Sequence, residues 1–377
     1  MKQTKFLFDE SKMTPEGMVS VSQLQTFLSC RKKWEYNYIE NLKPRVERSY
    51  LTIGKLCHKG MQTAMQVIWK IQQEKGGNDT NWYQMMERMA VEAMQEEYDE
   101  YCTYTPHLEE EIPEFEQLWS DAVSVFKQAL FEFQPWKYEV VTLCDKGRPI
   151  PALELHFKVP CPPTKGLHGY IDAILRDRET GFMWCVDYKF RKSLSPDEDE
   201  AFNIQNAVYA YACQKMGVDI TGTMTWQHVN TPAAEPTILK DGRISRSKIR
   251  TTWAKYEQFC VEHGQNPQDY YLEMEEKLRD IEWCRATLEY RNPETVNRIW
   301  EECVVPVAKQ VKAAHGKKAD NFRSLYPWNC RVGCPYQSIC QAELRDYDAE
   351  AIREREYIRR TARNGGETTE SAPASAT

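Results

Sequence analysis

Apolar residues recur at helical spacing through the first third of the chain. Ser22-Gln23-Leu24-Gln25 fits a capping box, and Leu24, Phe27, Leu28 and Tyr38 follow at roughly helical intervals, which predicts a first helix carrying Cys30. Between Gly54 and Lys75 the apolar positions Cys57, Met61, Met65, Ile68 and Ile71 mark one helix face, and further helical patterns span about 81–101 and 114–134. From Tyr138 the pattern shortens to β-rich runs: Tyr138–Leu143, Leu153–Val159, His168–Leu175 and Phe182–Phe190, read as a meandering sheet. Helical spacing returns over Ala201–Met216, Thr221–Val229 reads as another strand, and Asp241-Gly242 marks a hairpin. Residues about 248–315 read as helices, Asn329–Cys340 as a cysteine-bearing loop, and a charged helix runs to about Arg363. The order predicts an α/β core, and no internal repeat is visible.

Composition narrows the class. With 377 residues, 41% of them hydrophobic, the chain can bury a core without a disulfide scaffold, so one compact catalytic unit with insertions is expected. The first residues carry no apolar stretch ahead of a cleavage site, and no run approaches the length of a membrane span, so a cytoplasmic protein without membrane contact is expected. In that compartment the thirteen cysteines point to reduced core thiols plus a metal or cluster site. A net charge of −7 argues against a basic face all round, so nucleic-acid contact has to be local. Two local candidates exist: Lys240, Arg243, Arg246, Lys248 and Arg250, and Lys309, Lys312, Lys317, Lys318 and Arg323.

The most informative stretch is His168-Gly-Tyr-Ile-Asp172, then the polar turn Asp177-Arg-Glu-Thr-Gly181, then Trp184-Cys-Val-Asp187-Tyr-Lys189. Alternation along a strand puts Asp187 and Lys189 on one face and Val186 and Tyr188 on the other. A turn centred on Glu179 and Thr180 sets Asp172 opposite Asp187, where two like charges repel unless a cation lies between them. Hard oxygen ligands suit Mg²⁺ or Mn²⁺, and Lys189 would position the attacking water or steady a phosphate. Read alone, the pair could also be ordinary strand acids, but an acid inside the apolar run Trp184–Tyr188 is expensive to leave idle.

With Gly54-x-x-x-His58 upstream, Gly169-x-x-Asp172, Asp187-x-Lys189 and Gln205-x-x-x-Tyr209 follow in the order seen in RecB-type nucleases. The chain resembles that branch of the PD-(D/E)xK superfamily over about residues 20–345. Within it, the chain is most similar to the iron–sulfur members: CRISPR-associated exonucleases, the AddB nuclease domain and phage-encoded relatives. The resemblance implies a restriction-endonuclease-like core, a mixed central sheet flanked by helices, with helical insertions and a C-terminal iron–sulfur segment. It implies His58, Asp172, Asp187 and the Tyr188 carbonyl as metal ligands, Lys189 as the catalytic lysine, and Gln205 and Tyr209 as residues that contact the DNA backbone or hold Lys189. Ile171 replaces the proline of the family name, as is common in this branch. Glu154 on the preceding strand is an optional extra acid, more simply read as a surface residue.

Cys330-x-x-x-Cys334-Pro-Tyr-x-x-x-Cys340 groups three thiols, and the resemblance supplies Cys30 as the fourth. Four thiolates suit a [4Fe–4S] cluster or a structural Zn²⁺. The uneven spacing matches iron–sulfur nucleases better than paired zinc knuckles, although the usual second spacing there is one residue shorter. Such a cluster would staple the C-terminal segment to the first helix.

These readings divide the chain into an N-terminal lead (1–19), a nuclease domain (20–345) with a helical insertion (about 76–135) and a cysteine segment (326–345), a C-terminal helix (346–364) and a disordered tail (365–377). The expected function is metal-dependent hydrolysis of DNA, with single-stranded ends and 5′ to 3′ polarity implied by resemblance alone. Open alternatives are an endonuclease, the nuclease arm of a recombination or helicase complex, a homo-oligomer, a non-catalytic DNA-end-binding adaptor, and an iron–sulfur redox protein, which would leave the Asp172, Asp187 and Lys189 constellation unexplained.

Overall fold

The computed structural model describes residues 17–45, 48–74, 81–104, 112–315, 321–326, 330 and 333–359. The expected disordered tail and most of the N-terminal lead lie outside them, as do Lys317 and Lys318. The chain divides into two units: Arg48–Leu155 with Tyr170–Val296, and the described residues of 17–45, 156–169 and 297–359.

The first unit is built on a sheet. The strand Gly166–Asp177 contributes its residues from Tyr170 onward, and these run antiparallel to Met183–Arg191; that strand pairs parallel with Gly222–Val229, which pairs antiparallel with Cys284–Tyr290. Tyr138–Val140 adds to the outer side of the first strand. The sheet is mixed because the helix Ile204–Met216 carries the chain between the two parallel strands, where a short turn could not. On it packs the helix Ser49–Gln73, together with Trp82–Tyr104 and Ile112–Phe133, in one core that includes Leu56, Met61, Met65, Phe126, Val186 and Trp226. A Cβ at Gly60 would lie 2.6 Å from the Phe126 ring, so the missing side chain is what lets the helices approach this closely. A smaller cluster of Ile244, Tyr256, Cys260, Tyr270 and Met274 unites the helices Trp253–Glu262 and Gln268–Arg279.

In the second unit, Val21–Ser29 leads into Arg31–Trp34 and a π-helical turn, Glu35–Ile39. Leu42–Pro44 pairs antiparallel with Tyr357–Arg359. Tyr36, Leu42, Tyr336, Ile339 and Tyr357 form the core beneath them.

Several expectations change. The helix cap is Ser20, whose hydroxyl accepts from the Gln23 N–H, so the first helix starts earlier than the Ser22 box predicts, and Cys30 sits at its end in extended backbone. The expected meander is broken, because Tyr138–Val140 pairs with the strand Gly166–Asp177 and Met18–Ser20 joins Gly166–His168 in parallel; the helix expected before Gly222–Val229 is present as Ile204–Met216. Cys284–Tyr290, expected as helix, is a strand; it buries only Thr287, so alternation is nearly silent there. Asp241-Gly242 closes only an isolated bridge between Ile238 and Ile244. Cys340 lies on the helix Gln337–Leu344 rather than in a loop. The expected helix over 346–364 is a helix, Ala349–Glu356, followed by the strand Tyr357–Arg359. Among the described residues, no helix is long and apolar enough to cross a membrane.

Candidate active site

The hairpin register follows the expected turn centre. Pairs Ala173↔Val186 and Ile174↔Cys185 put position 172 level with 187, and the Tyr188 N–H donates to Asp172 Oδ2 at 2.8 Å. Lys189 Nζ donates to Asp187 Oδ1 at 2.9 Å and lies 2.7 Å from Oδ2. From the helix Ile204–Met216, the Gln205 side chain ties the group together: its amide nitrogen donates to Asp187 Oδ1 (3.1 Å) and to the Tyr209 hydroxyl (2.7 Å), and its oxygen accepts from Lys189 Nζ (3.1 Å). His58 reaches the same end of the hairpin from the helix Ser49–Gln73, with Nδ1 3.6 Å from Asp172 Oδ2. Gly54, one turn before His58, faces the Phe190 Cβ at 3.8 Å from an ideal Cβ position, an ordinary contact distance.

Asp187 is almost fully buried, and that burial pushes its carboxyl above the usual range; Lys189 pulls the other way and Asp172 adds to the rise. Tyr209 is raised well above the usual phenol value, first by burial and then by the Asp187 and Asp172 charges, so its hydroxyl stays protonated. Asp187 Oδ2 is buried, with the Lys189 ammonium as its close neighbour. Glu154 has a left-handed backbone, φ 45°, and its charge acts on Tyr188, whose side chain leaves the other face of the strand.

Sequence reading missed an adjoining network. Arg191, two residues past Lys189, donates to Glu200 Oε1 (2.7 Å) and Gln227 Oε1 (2.9 Å), and Asn203 Nδ2 donates to Glu200 Oε2 (3.0 Å). Glu200 is buried although it ends an acidic run that reads as surface. The available signal was the period of two along 187, 189 and 191.

The cysteines occupy the second unit. Burial raises the Cys330 and Cys334 thiols, and Cys30 and Cys340 lie close enough for their charges to add to both, while a backbone N–H of Tyr336 and Lys33 pull Cys334 down. Arg323 Nε donates to Cys340 Sγ at 3.2 Å, and its guanidinium pairs with Glu343.

The sequence profile of the PD-(D/E)XK nuclease superfamily matches residues 18–341. The chain belongs to this superfamily. No curated protein matches the chain. Membership implies a nuclease, a phosphodiester hydrolase; a nuclease of this superfamily would bind DNA, and such enzymes typically use Mg²⁺ or Mn²⁺. Among the described residues, no three His, Cys, Asp or Glu side chains stand grouped so that they could hold a metal ion. The donor chemistry of the hairpin still suits a hard divalent cation, because two neighbouring carboxylates, one of them buried, are what such an ion neutralises. Two of the five residues of the first basic candidate are paired with carboxylates: Arg243 with Asp241, and Arg246 with Glu273.

Proposed function

We propose that the chain is a DNA exonuclease of the RecB-like, iron–sulfur branch, acting on single-stranded ends with 5′ to 3′ polarity. One observation carries the nuclease reading: Asp172, Asp187, Lys189, Gln205 and His58, drawn from two strands and two helices, meet at one end of one hairpin. The branch, the polarity and the preference for ends rest on the family resemblance alone.

In this reading His58, Asp172, Asp187 and the Tyr188 carbonyl hold Mg²⁺ or Mn²⁺. The bound ion would supply Lewis-acid polarisation of the scissile phosphate. Lys189 keeps its ammonium fixed between Asp187 and Gln205, so it meets the phosphate as an oriented donor that needs no reorganisation at the moment of reaction. Gln205 sets the Lys189 position, and Tyr209 sets Gln205 through the 2.7 Å bond. Burial of Asp187 keeps bulk water from screening these charges.

Cys30, Cys330, Cys334 and Cys340 are proposed to hold a [4Fe–4S] cluster with a structural role, supported by the closeness of Cys30 and Cys340 to both Cys330 and Cys334 and by the Arg323 N–H donated to Cys340. The proposed organisation is a nuclease domain over 20–345 with a helical insertion over about 76–135. The test is anaerobic purification, an absorption spectrum with metal analysis, and incubation with end-labelled single-stranded DNA. A brown protein that shortens the strand progressively from its 5′ end supports every part. Internal cuts would make it an endonuclease, a brown but inactive protein an adaptor, and a colourless zinc protein would remove the cluster and leave the nuclease.

A further inference from the structure

Among the described residues, Phe202 is the most exposed large hydrophobic side chain, at 89%. Its place is fixed from both sides. Glu200 is buried and bonded to Arg191 and to Asn203, and Gln205 is bonded to Lys189 and Asp187, so the segment carrying Phe202 is fastened at each end to the strand Met183–Arg191. Asn203 also caps the following helix by accepting from the Gln205 N–H at 3.0 Å. Phe202 and Gln205 are three residues apart, so even a fully extended chain would span only about 10 Å between them.

A phenyl ring held open to water within three residues of Gln205 offers a flat apolar face for stacking. Bases of a duplex are already stacked, whereas a base in a single strand offers a free face to an aromatic side chain. Charge agrees. The strand is followed at once by the exposed Lys192, whose Nζ stands 4.8 Å from the Tyr50 ring, and Tyr50, Gly54 and His58 share one helix face at four-residue spacing. Lys192 and the Tyr50 ring thus stand together where the strand Met183–Arg191 ends.

We propose that Phe202 stacks on a base of single-stranded DNA next to the bond to be cut, with Lys192 holding an adjacent phosphate, so that preference for single strands is built into the 200–205 segment. This rests on the nuclease reading of the hairpin.

The experiment measures binding of a labelled oligothymidylate by fluorescence anisotropy, with Ca²⁺ replacing Mg²⁺. Phe202→Ala is expected to weaken binding about tenfold and Phe202→Trp to retain it. On a wholly abasic strand of the same length the wild type and Phe202→Ala should bind equally, through phosphates alone. Lys192→Ala should lower the slope of log affinity against log salt by about one on both strands. Unchanged oligothymidylate binding by Phe202→Ala, or an equal loss on the abasic strand, overturns the proposal. So does a shift from dimer to monomer with affinity unchanged, which would give the ring to a second copy of the chain. With Mg²⁺ or Mn²⁺, a wild type that discriminates these strands but never cuts them overturns the nuclease reading and leaves the stacking contact supported. A wild type that cuts, beside a Phe202→Ala that binds normally, overturns the stacking alone.

Discussion

Replacing Gln205 by alanine removes three hydrogen bonds at once: to Asp187, from Lys189 and to Tyr209. Two of these partners are ionised, and such bonds are worth about 1.5–3 kcal/mol each, against roughly 1 kcal/mol for a neutral one. Lys189 is partly exposed and regains water, so its share is small, while the buried Tyr209 hydroxyl and Asp187 do not. A net loss of about 2–3 kcal/mol in stability follows, several degrees in melting temperature. The effect on cleavage should be larger in kind, because the ammonium of Lys189 loses one of its two anchors, and a displacement of about 1 Å at a reacting group is worth roughly a hundredfold in rate. Tyr209→Phe removes only the outermost bond and should slow single-turnover cleavage by about tenfold or less. The assay is single-turnover cleavage at saturating enzyme beside a thermal melt. A Gln205→Ala protein within twofold of the wild-type rate, with the melting temperature lowered as predicted, would refute the positioning role and leave Gln205 as packing.

Asp187→Asn removes a charge that burial disfavours, so without divalent metal it should melt at or above the wild-type temperature, and added Mn²⁺ should stabilise the wild type but not the variant; equal stabilisation of both would contradict the proposed site. His168 and His228 are both lowered to about 4 by burial and stay neutral in the fold, so their stabilisation is complete above the unfolded value of 6.5 and is lost as pH falls from there toward 4. Urea melts across that window should show falling stability, up to roughly 3 kcal/mol for each histidine, and His228→Asn should flatten the slope. Gly222→Ala should fail to accumulate as folded protein, since its Cβ would stand 2.1 Å from the Glu289 carbonyl oxygen in the paired strand.

What could be read from the sequence was the part governed by local periodicity. The turn between Asp177 and Gly181 is symmetric about Glu179 and Thr180, so the register of Asp172 against Asp187 followed from counting. The same period places Asp187 and Lys189 together. Gln205 and Tyr209 share a helix face, as their spacing requires, but only the structure shows the Gln205 amide joining both charged groups. Long-range pairings were not legible. The strand Cys284–Tyr290 is bonded along Gly222–Val229 and buries one residue, so nothing in its pattern separates it from the helices around it. Glu200 sits in an acidic run that looks solvated, and its burial depends on Arg191 arriving from a strand nine residues earlier. Phe202 was invisible for the opposite reason: an isolated aromatic in a sequence reads as core, and only its exposure shows that it is not.

The most direct test of the nuclease assignment to this hairpin is cleavage of end-labelled single-stranded DNA with Mg²⁺ or Mn²⁺ by the wild type and by Asp187→Ala, each checked for a native melt. The account predicts shortening by the wild type, none by the variant, and none by either in EDTA. Undiminished cleavage by a folded Asp187→Ala protein would contradict it.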